Sequence, residues 1–372
     1  MIMKSLVALF IVLSFSSFYL GKCLSEPLAP ALYVFGDSLV DSGNNNWLLL
    51  PRPAQANYKP YGIDFPGSVS TGRVTNGKNV PDFIAEYLGL PYPARVKQPF
   101  RPPSLTGYNY ASAGGGILPE TGPKNCLDLG EQVLLFNGTK NNILKPAFPE
   151  QAQLEEHLAK SIFFIWVGNN DYLLNYYSAA TNTSQDYTPQ EFADLLALQL
   201  SEKIKVLHSL GARKIVVFEG PPYGCIPIYY NKNGECIDSK NTNAQQFNSK
   251  LQEMIQSLSS EFSDAYFSLG KAYDLTYDAI VNPSNYGLTN VTSPCCELAT
   301  LLGHTLIACK WLGNKCENRD EYLFWDAAHP TQVGHGILGG QCINNSAVCT
   351  PYSIQDLVQL PTKPALTLLS AA

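Results

Sequence analysis

The chain is expected to fold as an α/β protein, a mostly parallel sheet with helices on both faces. Three observations carry that expectation. Short β-rich runs of five or six residues alternate with longer helical stretches. Several of those runs end in Gly, Ser, Asn or Asp, the residues that present chemistry from strand ends. At 372 residues, 45% hydrophobic and only 15% charged, the chain can bury a large core.

In chain order, the first strand is expected at 31–35, immediately before Gly36-Asp37-Ser38. Later strands are expected at 106–110, 162–167, 214–218 and 265–269, of which 106–110 is the most polar. A helix over 80–88 precedes the second of these. Thr188-Pro189-Gln190-Glu191 combines an N-cap, Pro at the first helical position and a capping-box acid, so a helix starts there and ends at Gly211. Phe192, Leu196, Leu200, Ile204 and Leu207 give it one buried stripe. A further helix is expected over 244–262. Residues 50–103 are rich in Pro and Gly and show little period, which predicts a long irregular excursion with one helix in it, a lid or an insertion. No linker, internal repeat or low-complexity tract divides 26–372, so one domain is expected.

The N-terminus places Lys4 before an uncharged, mostly apolar run and then small or polar residues near Ser25, the order of a signal peptide over 1–25. No later run approaches the ~20 apolar residues that span a bilayer, so no transmembrane anchor is expected. The C-terminal residues 365–372 are too mixed for a lipid-anchor signal. Net charge of -6 with scattered Lys and Arg offers no basic field for nucleic acid.

Ten cysteines suit an oxidising compartment. Cys23 leaves with the signal segment. Cys225 with Cys236 and Cys342 with Cys349 suit local bridges. Cys295, Cys296, Cys309 and Cys316 suggest two more, of undetermined connectivity, and leave Cys126 over. No C-x-x-C pair or His cluster supports a metal site, and no cofactor is implied. Sequons at Asn137, Asn182, Asn290 and Asn344 are candidate N-glycosylation sites on surface loops. Together these features predict a secreted glycoprotein of the extracellular space or cell wall, or of the vacuole.

Chemistry concentrates at four places: Gly36-Asp37-Ser38, Ala111-Ser112-Ala113-Gly114, Gly168-Asn169-Asn170-Asp171 and Trp325-Asp326-Ala327-Ala328-His329-Pro330. Acyl transfer needs a nucleophile, a base, an orienting carboxylate and oxyanion donors, and these four places hold all of them. Each also has an ordinary explanation. Ser38 with Asp41 matches a helix cap, the Gly114 run a turn, Asn170 a bond to its own backbone, and His329 a loop residue. Of the other histidines, His157 and His208 fall in helical stretches, the latter near a C-terminus where the dipole favours its charge. His304 lies among cysteines, and His335 is the nearby competitor as base.

Taken together, the blocks resemble the GDSL-type lipases and esterases, also called SGNH hydrolases, particularly their plant branch. The resemblance runs from Phe35-Gly36-Asp37-Ser38-Leu39-Val40-Asp41 to Asp326-Ala327-Ala328-His329-Pro330, with Gly72-Arg73, Asn109-Tyr110-Ala111-Ser112, Gly168-Asn169-Asn170-Asp171 and Gly220-Pro221-Pro222-Tyr223-Gly224-Cys225 between. It implies a flavodoxin-like three-layer sandwich, Ser38 as nucleophile, and Asp326 and His329 as the rest of a triad. It also implies an oxyanion hole from the Ser38 amide, Gly114 and Asn170. Ala113-Gly114-Gly115-Gly116 departs slightly from the family's second block, so that donor can be shifted by one residue. The D-x-x-H spacing allows Asp326 to accept from Nδ1–H of His329 and leaves Nε2 for the serine proton. The function expected is hydrolysis of a small-molecule ester or lipid through an acyl-enzyme. The alternatives are acyl transfer to an alcohol at the same site, and a non-catalytic secreted binding glycoprotein on the same scaffold.

Overall fold

The computed structural model describes residues 26–49, 54–230 and 234–363; the expected signal segment 1–25, with Cys23, and the tail 365–372 lie outside the described residues. The strands are β1 (Leu32–Gly36), β2 (Ala94–Arg95), β3 (Tyr108–Asn109), β4 (Ile162–Trp166), β5 (Lys214–Phe218), β6 (Tyr266–Gly270), β7 (Asn290–Pro294), β8 (Leu298–Leu301), β9 (His304–Cys309), β10 (Tyr322–Phe324) and β11 (Cys349–Thr350). Seven form the central sheet in the order β11-β6-β5-β4-β1-β3-β2. Every pairing in it is parallel except that of β11 with β6. The five strands expected from sequence all form, within one residue at each end except 106–110, which pairs only at Tyr108 and Asn109.

Strand alternation builds the three layers. Tyr33, Phe35, Phe163, Ile165, Ile215 and Val217 face one side, under helices Leu129–Thr139, Gln151–Lys160, Pro189–Ser209 and Asp238–Glu261. Leu32, Val34, Phe164, Trp166, Val216 and Phe218 face the other, under Val80–Leu88, Gln332–Asn344 and Ile354–Gln359. Burial on both faces is why these strands read as continuous apolar runs.

The Pro189–Ser209 helix carries the expected capping box from Thr188 to Glu191. The helix expected at 244 starts instead at Asp238. Its first turns carry no apolar stripe, because buried Asn241 anchors them by accepting from the Gly224 amide at 2.8 Å. Asn137, expected on a loop, lies half-buried inside helix Leu129–Thr139, with Thr139 bonded to the Tyr110 hydroxyl. Asn182 and Asn344 are exposed, and Asn290 is half-buried in β7.

Disulfides join Cys225–Cys236, Cys342–Cys349, Cys295–Cys316 and Cys296–Cys309, and Cys126 is free and buried. The last two bridges staple the β8–β9 hairpin to its root. Among the described residues no helix is long and apolar enough to cross a membrane.

Candidate active site

β1 lies inside the sheet, with β3 on one side and β4 on the other, so the chain leaves it at a topological switch point. A crevice opens there at the carboxyl ends of the strands. Gly36 ends β1 with φ 148°, and a Cβ on it would come within 2.1 Å of the Trp166 carbonyl oxygen, so only glycine fits. Its amide donates to Gln132 Oε1 at 2.8 Å, and Gln132 Nε2 donates back to its carbonyl at 2.9 Å.

Ser38 sits in the turn that follows. Asp37, fully buried, accepts from the Leu39 amide at 3.0 Å and from Asn169 Nδ2 at 2.8 Å, which holds that turn. Asp41 does not cap toward Ser38. It accepts from the Gly43, Asn44 and Ala113 amides and ties the first block to the second. Asn44 and Asn45 add side-chain donations to the carbonyls of Ala111 and Ala113, both at 2.8 Å. Asp171 does the same for the third block, accepting from the Ile117 and Leu118 amides and the Thr121 hydroxyl. Burial is the largest influence on all three carboxyls and raises each to about 6 against those hydrogen bonds.

The last block closes the constellation. His329 Nε2 is 2.8 Å from Ser38 Oγ, and His329 Nδ1 is 2.8 and 2.9 Å from the two oxygens of Asp326. Asp326 Oδ1 also accepts from the Ala328 and His329 amides, a local turn that fixes the carboxylate under the ring. Burial opposes the His329 imidazolium, but the charge and hydrogen bond of Asp326, with a smaller part from Asp37, outweigh it. The ring's pKa therefore lies above its ordinary value. His335 is no rival as base. Burial, with the nearby His329, pushes it down to about 3, and its Nδ1 has no hydrogen-bond partner among the described residues.

His157 is likewise pushed down to about 4 by burial, beside the Tyr33 hydroxyl. His208, expected to have its charge favoured by the helix end, instead has its pKa lowered by burial, with a smaller part from Arg213, against the Asp264 carboxylate at 2.8 Å.

Gly114 and Asn170 line the same cavity as Ser38 and His329. Asn170 Nδ2 donates one proton to the Gly115 carbonyl at 2.9 Å, which orients the amide and leaves its second proton for a ligand. Neither the Ser38 nor the Gly114 amide meets an acceptor among the described residues. The cavity is about 290 Å³, and apart from these polar groups its wall is largely apolar, including Leu173, Pro221, Ile226, Ile307 and Phe324.

Sequence reasoning missed Tyr61. Its hydroxyl, in the 50–103 excursion, donates to Asp326 Oδ2 at 2.7 Å and accepts from the Cys309 amide at 3.0 Å. The excursion is thus part of the site's wall and is locked by the buried Arg73–Asp82 ion pair. A tyrosine among Pro and Gly residues carries no periodic signal that could have singled it out. Gln132 was missed for a similar reason, being one polar residue inside a helix.

A family profile described as GDSL-like lipase/acylhydrolase matches residues 32–340. GDSL esterase/lipase 7 of Arabidopsis thaliana is 40% identical over 376 residues, covering 96% of this chain and 100% of its own. A second Arabidopsis GDSL esterase/lipase is 40% identical over 91% of each chain. A third is 37% identical over 90% of this chain and 87% of its own. Among solved structures, a phospholipase A1 from Streptomyces albidoflavus NA297 aligns over 84% of this chain and 95% of its own at 14% identity. Its TM-score of 0.41 is too low to bear on the site.

Proposed function

The chain belongs to the GDSL-like lipase/acylhydrolase family and is a carboxylic-ester hydrolase. On that premise we propose that it is a single secreted domain that cleaves its ester through an acyl-enzyme on Ser38. The contiguous contact from Ser38 through His329 to Asp326, with 2.8 Å at each step, carries this reading.

Ser38 Oγ attacks the ester carbonyl while its proton passes to His329 Nε2, and Asp326 holds the opposite nitrogen and stabilises the imidazolium. The oxyanion is received by the Ser38 and Gly114 amides and the unused Asn170 proton. His329 then protonates the departing alkoxide. In the second half, water gives its proton to His329 and attacks the acyl carbon, releasing the acid and restoring Ser38. Neither half needs a cofactor.

The apolar wall of the cavity favours a second outcome from the same intermediate, in which an alcohol takes the place of water. Secretion is supported by the N-terminal segment and by four disulfides, which suit an oxidising compartment. Asn182 and Asn344, both exposed, are the best placed of the four sequons to carry glycans.

The test is release of chromophore from nitrophenyl esters by the native chain and by Ser38→Ala, with fluorophosphonate labelling of both. Activity and labelling lost together in the variant support the reading. Equal activity in the two proteins removes Ser38 from the mechanism. Adding an alcohol at fixed donor measures the partition between acid and new ester.

A further inference from the structure

The β8–β9 hairpin and the turn after it expose several large apolar side chains. Leu301 and Leu302 at its tip are 60% and 92% exposed, and Trp311 and Leu312 in the turn after it are 69% and 66% exposed. Leu306 on β9 is exposed as well. Side chains of this size left in water carry a free-energy cost, and a cluster of them marks a contact surface.

The hairpin is held stiffly. Cys296–Cys309 closes it and Cys295–Cys316 anchors its root, while the Leu312 amide donates to the Lys59 carbonyl at 2.9 Å. Its apolar display is therefore built into the fold. Continuity with the cavity says what it meets. Ile307 and Ala308, the residues directly after Leu306, line the cavity that holds Ser38. The Ala327 amide, between Asp326 and His329, donates to the Ile307 carbonyl at 3.1 Å. β9 thus runs from exposed Leu306, next to the tip, to the edge of the turn that carries His329.

Charge points the same way. Residues 298–316 contain Lys310 and Lys315 and no carboxylate, in a chain of net charge -6. Lys310 pairs with Glu297 at the hairpin root, and the tip, residues 301–306, holds no acid to repel anionic headgroups. Tryptophan and leucine beside lysine is the composition that settles at a membrane–water boundary.

We propose that this hairpin docks the enzyme on the surface of a lipid aggregate, with Leu301, Leu302, Trp311 and Leu312 entering the acyl region and the cavity mouth facing the layer. The role assigned to the cavity rests on Ser38 being the nucleophile. The docking itself does not, and the test keeps the two apart.

Ser38→Ala protein is sedimented with vesicles of phosphatidylcholine and phosphatidylglycerol, alone and combined with Leu302→Asn and Trp311→Gln. Asn tolerates the left-handed backbone at residue 302, φ 51°, and both sites are exposed, so folding is preserved. The partition coefficient is expected to fall about tenfold or more. With Ser38 restored, the double substitution is expected to leave the rate on a dissolved short ester unchanged and to lower the rate on an emulsified long-chain ester. No vesicle binding by the Ser38→Ala protein, or binding unaffected by the double substitution, overturns the proposal. So does a dimer in sedimentation equilibrium that the two substitutions dissolve while vesicles go unbound, which assigns the patch to a second copy of the chain. Because binding is read without Ser38, an inert native enzyme would refute the proposed mechanism and leave the docking result decisive.

Discussion

Tyr61 and Asp326, 265 positions apart in sequence, meet through a 2.7 Å hydrogen bond from the phenol to the outer oxygen of the carboxylate. The same hydroxyl accepts from the Cys309 amide, so the disulfide-rich hairpin root, the 50–103 excursion and the histidine-bearing turn share one buried oxygen. Tyr58 packs edge-on against Tyr61 at 5.3 Å and donates to the Cys309 carbonyl, which closes the arrangement. Tyr61 is therefore a positioning residue for the carboxylate that orients His329.

Tyr61→Phe is expected to lower kcat about five- to thirtyfold with little change in KM, since one hydrogen bond of roughly 1–2 kcal/mol is lost from the carboxylate. Steady-state kinetics on a soluble ester, with fluorophosphonate labelling to show that Ser38 remains reactive, checks this. A change confined to KM would mean that Tyr61 shapes the cavity and does not position the carboxylate.

The His329 pKa lies above its ordinary value because of Asp326, and only the neutral ring can take the serine proton. The acid limb of kcat/KM is therefore expected above pH ~6.5. Asp326→Asn should shift that limb to lower pH and reduce kcat by about 10⁴. A pH–rate profile of the two proteins decides it, and an unmoved limb would assign the titration to another group.

Asn170→Ala removes a side-chain donor that the Gly115 carbonyl already holds in place. Turnover should fall about 10²–10³ with KM nearly constant. Substitution of Asn169, which instead bonds Asp37, should act on folding stability as well as rate, because it releases the turn that carries Ser38.

His335 is buried and pushed down to about 3, whereas an unfolded chain protonates it near pH ~6.5. Its contribution to stability is therefore fully present above pH ~6.5 and is lost as pH falls toward 3. Between pH 7.5 and 5 the loss is about 2 kcal/mol at 1.36 kcal/mol per unit. His335→Leu should keep its esterase activity and show that much less destabilisation between pH 7.5 and 5 in urea titrations. Loss of the pH 7.5 activity in a folded variant would return His335 to the reaction.

The four disulfides should separate by function. Replacing Cys342 and Cys349 by Ala unties helix Gln332–Asn344 from β11, and is expected to cost about 2–4 kcal/mol of stability with activity retained below the transition. Replacing Cys296 and Cys309 should cost a similar amount and also depress kcat, because the Cys309 amide anchors Tyr61. Thermal unfolding and kcat measured on both double variants test the contrast.

Local signals in the sequence were enough for the fold class. Four apolar strands, the Thr188 capping box and the helix over Val80–Leu88 each depend on a window of a few residues, and each stands where periodicity and capping place it, whereas the more polar strand expected at 106–110 shrinks to Tyr108–Asn109. The helix starting at Asp238 was misplaced by six residues because tertiary hydrogen bonds, and not an apolar stripe, hold its first turns. Chemistry was legible wherever a block kept its residues together: Asp326 and His329 are three apart and meet directly. So were two of the bridges, Cys225–Cys236 and Cys342–Cys349, which close short loops.

What the sequence determined by itself was the set of local structures and the chemical types available at each strand end. Only the tertiary structure decided which of them meet. Ser38 and His329 are 291 positions apart, and Gln132 reaches Gly36 across 96. The pairing of Cys295 with Cys316 rather than with a nearer partner depends on how the hairpin folds back. The physical reason is that a contact between distant residues is stabilised by packing of whole layers and by shared buried hydrogen bonds. Neither leaves a periodic trace in the chain around Tyr61, whose partner is chosen by the sheet that brings Asp326 to it.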